Sequence, residues 1–303
     1  MSGAAARGGP GSRLSRGLPA TPGTGCTPGR VPELPEVETV RRDLSAALTG
    51  SVVTGVTVSG LRSTRRHGSG ADFARALAGR RLVSFGRKGK YLVVALEPAG
   101  VLVAHLRMSG QLRVVTGAHE AMARHSHVVI DLDDGRQLRF VDPRTFGELF
   151  VTTPALPELD ALGIDALDPA LTVGALGSLL EGRRGGLKAL LLDQRVIAGI
   201  GNIYSDEILW TARLRGSRVA GTLRAVDLRR LHEAIGGVLA AAVEGRGSSL
   251  RDQQYVDASG QAGTYQQHHA VYGRQGLACP RCGRAIERTT VSQRSHFWCR
   301  GCQ

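Results

Sequence analysis

From Val31 onward, apolar residues recur with two different periods. Val37, Val40, Leu44 and Leu48 stand at helical spacing behind Pro35, which suits a first helical turn, and they predict a leading helix. Strand-like runs follow at Arg81–Gly86, Tyr91–Leu96, Val101–Leu106, Gln111–Val115, His127–Leu132 and Gln137–Val141. Asp134-Gly135, between the last two, is a hairpin signal. Helices do not alternate with these strands, so an antiparallel sandwich or barrel is predicted rather than a parallel sheet. After residue 155 the period changes, and helices are predicted at Leu171–Glu181, Leu187–Gln194, Ile203–Ala212 and Ala225–Glu244. Between the second and third, Ala198-Gly199-Ile200-Gly201-Asn202 reads as a tight turn with Asn202 placed to cap the next helix. Two helices joined this way offer free N–H groups to a phosphate backbone.

Composition narrows the function. Lys and Arg total 39 against 26 Asp and Glu, a net charge of +13 that suggests a polyanionic partner such as nucleic acid. Only Lys88, Lys90 and Lys188 are lysines, which makes each of them conspicuous. No apolar run is long enough to span a membrane, and the chain is expected in the cytoplasm. Residues 1–30 hold eight Gly, four Pro, four Arg and no acid, a composition expected to stay disordered. A transit peptide is the rival account of that segment.

Five cysteines are too few for a disulfide-dense secreted chain. Cys26 stands alone in the tail and is expected to be inert. Cys279-x2-Cys282 and Cys299-x2-Cys302 are two knuckles a hairpin apart, the spacing of a tetrahedral zinc site in a reducing compartment. Four thiolates fill the coordination sphere, so one structural Zn²⁺ is expected, with no open position for catalysis. Arg281, Arg284, Arg288, Arg294 and Arg300 surround it, opposed only by Glu287, so this hairpin is expected to touch DNA or RNA.

Read in order, Pro32-Glu33-Leu34-Pro35-Glu36, Gly89-Lys90-Tyr91-Leu92, His105-Leu106-Arg107-Met108-Ser109-Gly110, Asp142-Pro143-Arg144-Thr145-Phe146-Gly147, Gly199-Ile200-Gly201-Asn202-Ile203-Tyr204 and the four-cysteine hairpin form a series. That series resembles the bacterial formamidopyrimidine-DNA glycosylases, a base-excision repair family and sister of endonuclease VIII, from Pro32 to Cys302. The resemblance implies an α+β fold: a β-rich catalytic domain with a leading helix over 32–155, a helical DNA-binding domain with a helix–two-turn–helix over 156–250, and a lesion loop with a zinc β-hairpin over 251–303. It implies a flipped, oxidised purine such as 8-oxoguanine or a formamidopyrimidine. Pro32 would supply the amine that attacks the sugar C1′, and Glu33 the acid that protonates the opening sugar. Lys90 would assist glycosidic cleavage and β-elimination, and Arg294 δ-elimination. Met108, Arg144 and Phe146 would fill the gap left by the flipped nucleotide. His125, Arg183 and Asn202 would hold phosphates, with Lys188 a weaker candidate. The stretch Ser248–Tyr272 corresponds to the loop over the lesion, without a clear register. Double-stranded DNA bearing damaged bases or abasic sites is the implied partner, for a monomer associated with the nucleoid.

Two other classes fit part of the pattern. A catalytically inactive zinc-containing DNA-binding paralogue would have lost Glu33 or Lys90, and both are present. An RNA-binding zinc ribbon would explain the charge but neither the Pro-Glu-Leu-Pro-Glu start nor the Met–Arg–Phe set. In the chain as written, the Pro32 nitrogen is an amide following Val31, with its lone pair delocalised. Residues 1–31 are therefore expected to be absent from the active protein, either as a mistaken start, with a valine codon read as the initiator Met, or as a cleaved segment.

Overall fold

The computed structural model describes residues 32–117, 119–250 and 255–303. The expected disorder of residues 1–31 and their removal lie outside the described residues, as do residues 251–254 near the start of the expected lesion loop.

The chain opens with helix α1 (Leu34–Leu48), with Pro35 in its first turn and the Glu36 carboxylate accepting the Glu33 N–H at 2.8 Å. Strand β1 (Val53–Val58) and helix α2 (Gly70–Leu77) follow. Seven strands come next: β2 (Arg81–Lys88), β3 (Tyr91–Glu97), β4 (Val101–His105), β5 (Gln111–Val115), β6 (Ser126–Leu132), β7 (Gln137–Val141) and β8 (Glu148–Thr152). They pair into two four-stranded antiparallel sheets, ordered β2-β3-β4-β8 and β1-β6-β7-β5. This is the antiparallel sandwich that the alternating runs predict. Phe85, Leu92 and Leu102 of one sheet meet Ile130, Leu138 and Phe140 of the other, and α1 adds Val37, Val40, Leu44 and Leu48.

The second unit is mainly helical. Helix α3 (Pro157–Asp160) leads to the two-residue strand β9 (Ile164–Asp165), then to α4 (Val173–Leu180) and α5 (Leu187–Leu191). Strand β10 (Ile197–Ala198) pairs in parallel with β9 and precedes α6 (Asn202–Ala212) and α7 (Ala225–Glu244). Two helices are shorter than the periodicity predicts. Thr172 caps α4 by accepting the Ala175 N–H, so the helix starts two residues after Leu171. Gln194 lies outside α5 because its side chain closes the following turn, accepting from Gly199 N and donating to the Ile200 carbonyl.

The chain ends in a hairpin of β11 (Glu287–Val291) and β12 (Arg294–Trp298). Its turn residues Ser292 and Gln293 both have positive φ, 48° and 62°, which matches the twist of a two-residue hairpin. This hairpin has no separate core: Cys279, Ile286, Phe297 and Cys299 belong to the cluster that holds Leu176, Ile203 and Leu239. Leu34, the first residue of α1, belongs to that same cluster, whereas the rest of α1 packs in the sandwich.

Glu207 on α6 ties the approach to the hairpin. Its buried carboxylate accepts the N–H groups of Ala270, Val271 and Tyr272 at 2.8–3.0 Å. Glu207→Ala strands three buried donors, and a loss of about 3 kcal/mol or more is expected in denaturant unfolding. A loss near zero would mean that water replaces the carboxylate.

Candidate active site

The turn between β10 and α6 is built around the start of α1. Leu34 N–H donates to the Gly199 carbonyl at 3.1 Å, and a Cβ on Gly199 (φ +105°) would lie 2.4 Å from the Leu34 side chain. A Cβ on Gly201 would lie 2.2 Å from the Glu33 carboxyl carbon. Both glycines are therefore needed so that Glu33 and Leu34 can approach. The Glu33 carboxylate accepts the N–H groups of Ile203 (2.8 Å) and Tyr204 (3.2 Å), in the first turn of α6. It caps the helix from 170 residues away in sequence.

That corrects two sequence expectations. Asn202 is the first residue of α6 and not its cap, since Gly201 occupies the cap position and contributes no side-chain bond. The N–H groups of Ile203 and Tyr204 are held by the chain's own carboxylate rather than left for a phosphate. Asn202 instead donates through Nδ2 to the Ser295 hydroxyl at 3.3 Å, joining α6 to the residue after Arg294.

Burial pushes the Glu33 carboxyl above its ordinary range, although Lys90 and the two helix N–H groups pull the other way. Burial also lowers Lys90, with the Glu33 charge opposing this and the Arg294 charge reinforcing it. Glu33, Lys90 and Arg294 thus form one electrostatic cluster, and buried Pro32 precedes Glu33 in the chain. The turn that carries Lys90 is fixed from the second unit. Asp165 accepts the Gly89 N–H at 2.7 Å and both terminal nitrogens of Arg87, whose Nε reaches Glu38 on α1.

Lys188 is 0% exposed, and its ammonium bonds Asp206 at 2.5 Å and the Ser295 carbonyl at 3.0 Å. A phosphate-contact role does not fit that burial, because both the lysine and its partner are sealed inside. Asp206 also accepts the Phe297 N–H and lies 2.6 Å from His296 Nδ1, so it fastens the zinc hairpin to α6.

Met108, Arg144 and Phe146 lie on two loops at the end of the sandwich where Lys90 sits, since Tyr91 pairs with His105. Phe146 is 38% exposed, with the Arg144 guanidinium 5.2 Å from its ring centre. His125, half-buried with φ +66°, adjoins these loops through its carbonyl, which accepts the Asp142 N–H. Arg183 is exposed on the turn after α4, where its Nε donates to the Leu179 carbonyl at 2.7 Å.

The motifs leave Glu36 without a role, although it sits deep in the site. Its carboxylate accepts from Glu33 N, Tyr204 Oη and Ser248 N, and the Tyr204 and Ser248 hydroxyls lie 3.1 Å apart. Burial and the nearby Glu33 charge push it up to about 7. The available signal was an acid one helical turn before Val40 on the buried face of α1, where a carboxylate must find partners.

The four sulfurs of Cys279, Cys282, Cys299 and Cys302 lie within 4.8 Å of one another, with Cys279–Cys302 at 3.8 Å and Cys282–Cys299 at 3.4 Å. A tetrahedral zinc with bonds of about 2.3 Å needs sulfur separations of about 3.8 Å, so the set fits the ion. One zinc per chain is expected by atomic emission. Cys299→Ser should strip the metal and abolish DNA binding while the sandwich stays folded, as judged by circular dichroism. Wild-type DNA affinity in metal-free protein would overturn this.

Comparison with known proteins agrees with the geometry. The N-terminal domain of formamidopyrimidine-DNA glycosylase matches residues 31–149, its H2TH domain residues 162–254, and the zinc finger found in FPG and IleRS residues 276–303. The formamidopyrimidine-DNA glycosylase of Pelotomaculum thermopropionicum is 43% identical, over 90% of this chain and 99% of its own. That of Chloroflexus aurantiacus is 44% identical over 90% and 98%. The crystal structure of the Thermus thermophilus MutM (Fpg) protein is 42% identical, with a TM-score of 0.79 over 90% of this chain and 98% of that one. Lactococcus lactis Fpg, solved with DNA containing an abasic site, gives a TM-score of 0.81 at 31% identity over 89% and 99%. With matched models over more than half its length and relatives above 40% identity across nine-tenths of it, the chain belongs to the formamidopyrimidine-DNA glycosylase family and is a zinc-finger DNA glycosylase of DNA repair.

Proposed function

We propose that this chain is a bifunctional glycosylase and lyase that removes oxidised purines from double-stranded DNA and then cuts the abasic strand. The observation that carries the reading is the buried Glu33 carboxyl, held at the N-terminus of α6 beside Lys90 and next to Pro32. An inactive DNA-binding relative has no use for a proton-holding acid next to a lysine with a lowered pKa. In this reading the protein acts as a cytoplasmic monomer, and the three sequence-defined segments 32–155, 156–250 and 251–303 serve catalysis, DNA binding, and lesion and zinc contacts.

The Pro32 amine attacks C1′ of the flipped nucleotide, and the bond to the purine breaks. Glu33 gives its proton to the ring oxygen as the sugar opens, which leaves an iminium between Pro32 and the deoxyribose. Loss of a C2′ proton then expels the 3′ phosphate by β-elimination, and a second elimination expels the 5′ phosphate. In this reading Lys90 moves protons in these steps, and Arg294 holds the phosphate that leaves. Met108, Arg144 and Phe146 fill the space vacated by the base, while His125, Arg183 and Asn202 face the backbone.

The amine must be free for this chemistry, so the active form is proposed to begin at Pro32; the family match starts at residue 31. Borohydride should trap a covalent complex between an abasic duplex and protein beginning at Pro32. Protein that retains Val31 should trap none. Efficient trapping by the longer chain would remove Pro32 as the nucleophile and point to Lys90.

The pH dependence follows from Glu33. A carboxyl raised by burial keeps its proton where an ordinary glutamate has lost it. Excision of an intact lesion should therefore be present at low pH and fall as pH rises through that raised value. Cleavage of a preformed abasic site, which needs no sugar protonation of that kind, should lack this limb. A shared limb would place the titration elsewhere.

Unstacking a base costs a few kcal/mol, and the gap-filling side chains offset part of it. Met108→Ala, Arg144→Ala and Phe146→Ala should each slow excision from a duplex about tenfold, with smaller losses on a preformed abasic site. Equal losses on both substrates would mean that these residues serve the fold.

A further inference from the structure

The loops that carry Met108, Arg144, Phe146 and His125 are not independent. Each contains a non-glycine residue with left-handed backbone: Arg107 (φ 52°) before Met108, Thr145 (φ 55°) between Arg144 and Phe146, and His125 itself (φ 66°). Such conformations cost of order 1–3 kcal/mol each, and for β-branched Thr145 the cost is greatest. They persist only where neighbouring structure over-determines them.

One fully buried carboxylate does this. Asp142 is 0% exposed and bonded to all three loops. Its Oδ1 accepts the hydroxyl of Ser109, the residue after Met108, and the Arg144 N–H at 3.3 Å. Its Oδ2 accepts the N–H of Gly147, the residue after Phe146, at 2.7 Å. Its backbone N–H donates to the His125 carbonyl at 3.0 Å, and its carbonyl lies 3.0 Å from His127 Nε2. The Ser109 hydroxyl, itself buried, accepts the Arg144 N–H at 3.2 Å and so forms a second strut between the two wedge loops.

The packing beneath points the same way. A Cβ on Gly147 would lie 2.6 Å from the Phe140 ring and 3.0 Å from Asp142 Oδ2. A Cβ on Gly110 would lie 3.0 Å from the same ring. Both loops therefore rest on Phe140, and both can do so only because these positions are glycine.

We infer that Asp142 is the positioning residue of the DNA wedge, locking the Met108, Arg144–Phe146 and His125 loops into one rigid body through its carboxylate and the Ser109 hydroxyl. The inference rests on the proposed gap-filling role of Met108, Arg144 and Phe146. Asp142 touches no substrate. It fixes, before DNA arrives, the spacing between the side chains that enter the duplex, so the cost of ordering three loops is met during folding and not during base flipping.

Two variants separate this role from a general structural one. Asp142→Asn keeps the volume but places an NH₂ group against either Gly147 N–H or the Ser109–Arg144 pair, so one loop loses its acceptor. Ser109→Ala removes only the strut and leaves Asp142 in place, which covers the case in which Asp142→Asn does not fold. The readouts are single-turnover excision of 8-oxoguanine paired with cytosine, cleavage of a preformed abasic duplex, and fluorescence of 2-aminopurine opposite an uncleavable abasic analogue. The last reports wedge insertion without chemistry.

Ser109→Ala is expected to slow paired-lesion excision tenfold or more, to change abasic cleavage less than threefold, and to reduce the 2-aminopurine response. In a Met108→Ala background it should cost less than it does alone, because one of the two loops it ties together no longer carries a wedge, while the Arg144 N–H still loses its acceptor. Full additivity of the two changes, equal losses on both substrates, or an unaltered fluorescence response in folded protein would each overturn the inference. If wild-type protein raises 2-aminopurine fluorescence but excises nothing, the proposed function fails while the wedge remains testable through the optical signal.

Discussion

The carboxylate of Glu33 at the head of α6 is the contact on which the site depends. A helix N-terminus presents unpaired N–H groups and partial positive charge, and one buried anion satisfies both. Here that anion belongs to the first turn of the sandwich unit, so the two units are joined through it. Gly199 and Gly201 exist to permit the approach, and Leu34 completes it by entering the helical core. Desolvation raises the Glu33 pKa while the helix lowers it, and burial wins. The same contact therefore orients the acid and leaves it able to carry a proton.

Other junctions are made in the same way, by buried or half-buried carboxylates that accept backbone N–H groups. Asp165 holds the turn before Lys90, Asp206 the zinc hairpin, Glu207 the segment leading to it, and Asp142 the wedge loops. Each acid takes two or more donors, which is how a charge is tolerated away from water. The positive surface that DNA would meet is thus underpinned by an interior network of negative charge. An arginine-rich chain needs such anchors, because loops carrying only positive charge repel one another.

The zinc hairpin illustrates the cost of a small module. The module contributes Cys279, Ile286, Phe297 and Cys299 to a core that it shares with α6 and α7. Metal, the Asp206 carboxylate and shared packing together hold Arg294 near Lys90.

The sequence by itself determined the two periods, the sandwich, most helix positions, the zinc ligands and the family. These are local or order-based signals, and spacing preserves them. It did not reveal β1 or β8: β1 is interrupted by Gly55, and β8 begins with buried Glu148, which local polarity alone does not suggest as a strand residue. It placed Asn202 as a cap and Lys188 near phosphate because both are polar residues in helical surroundings. Only the tertiary structure decided that a residue 170 positions away caps α6 and that Asp206 seals Lys188 inside. The physical reason is the same for both. A hydrogen bond between distant segments leaves no periodicity, whereas burial of a charged group is intelligible only once its partner is known.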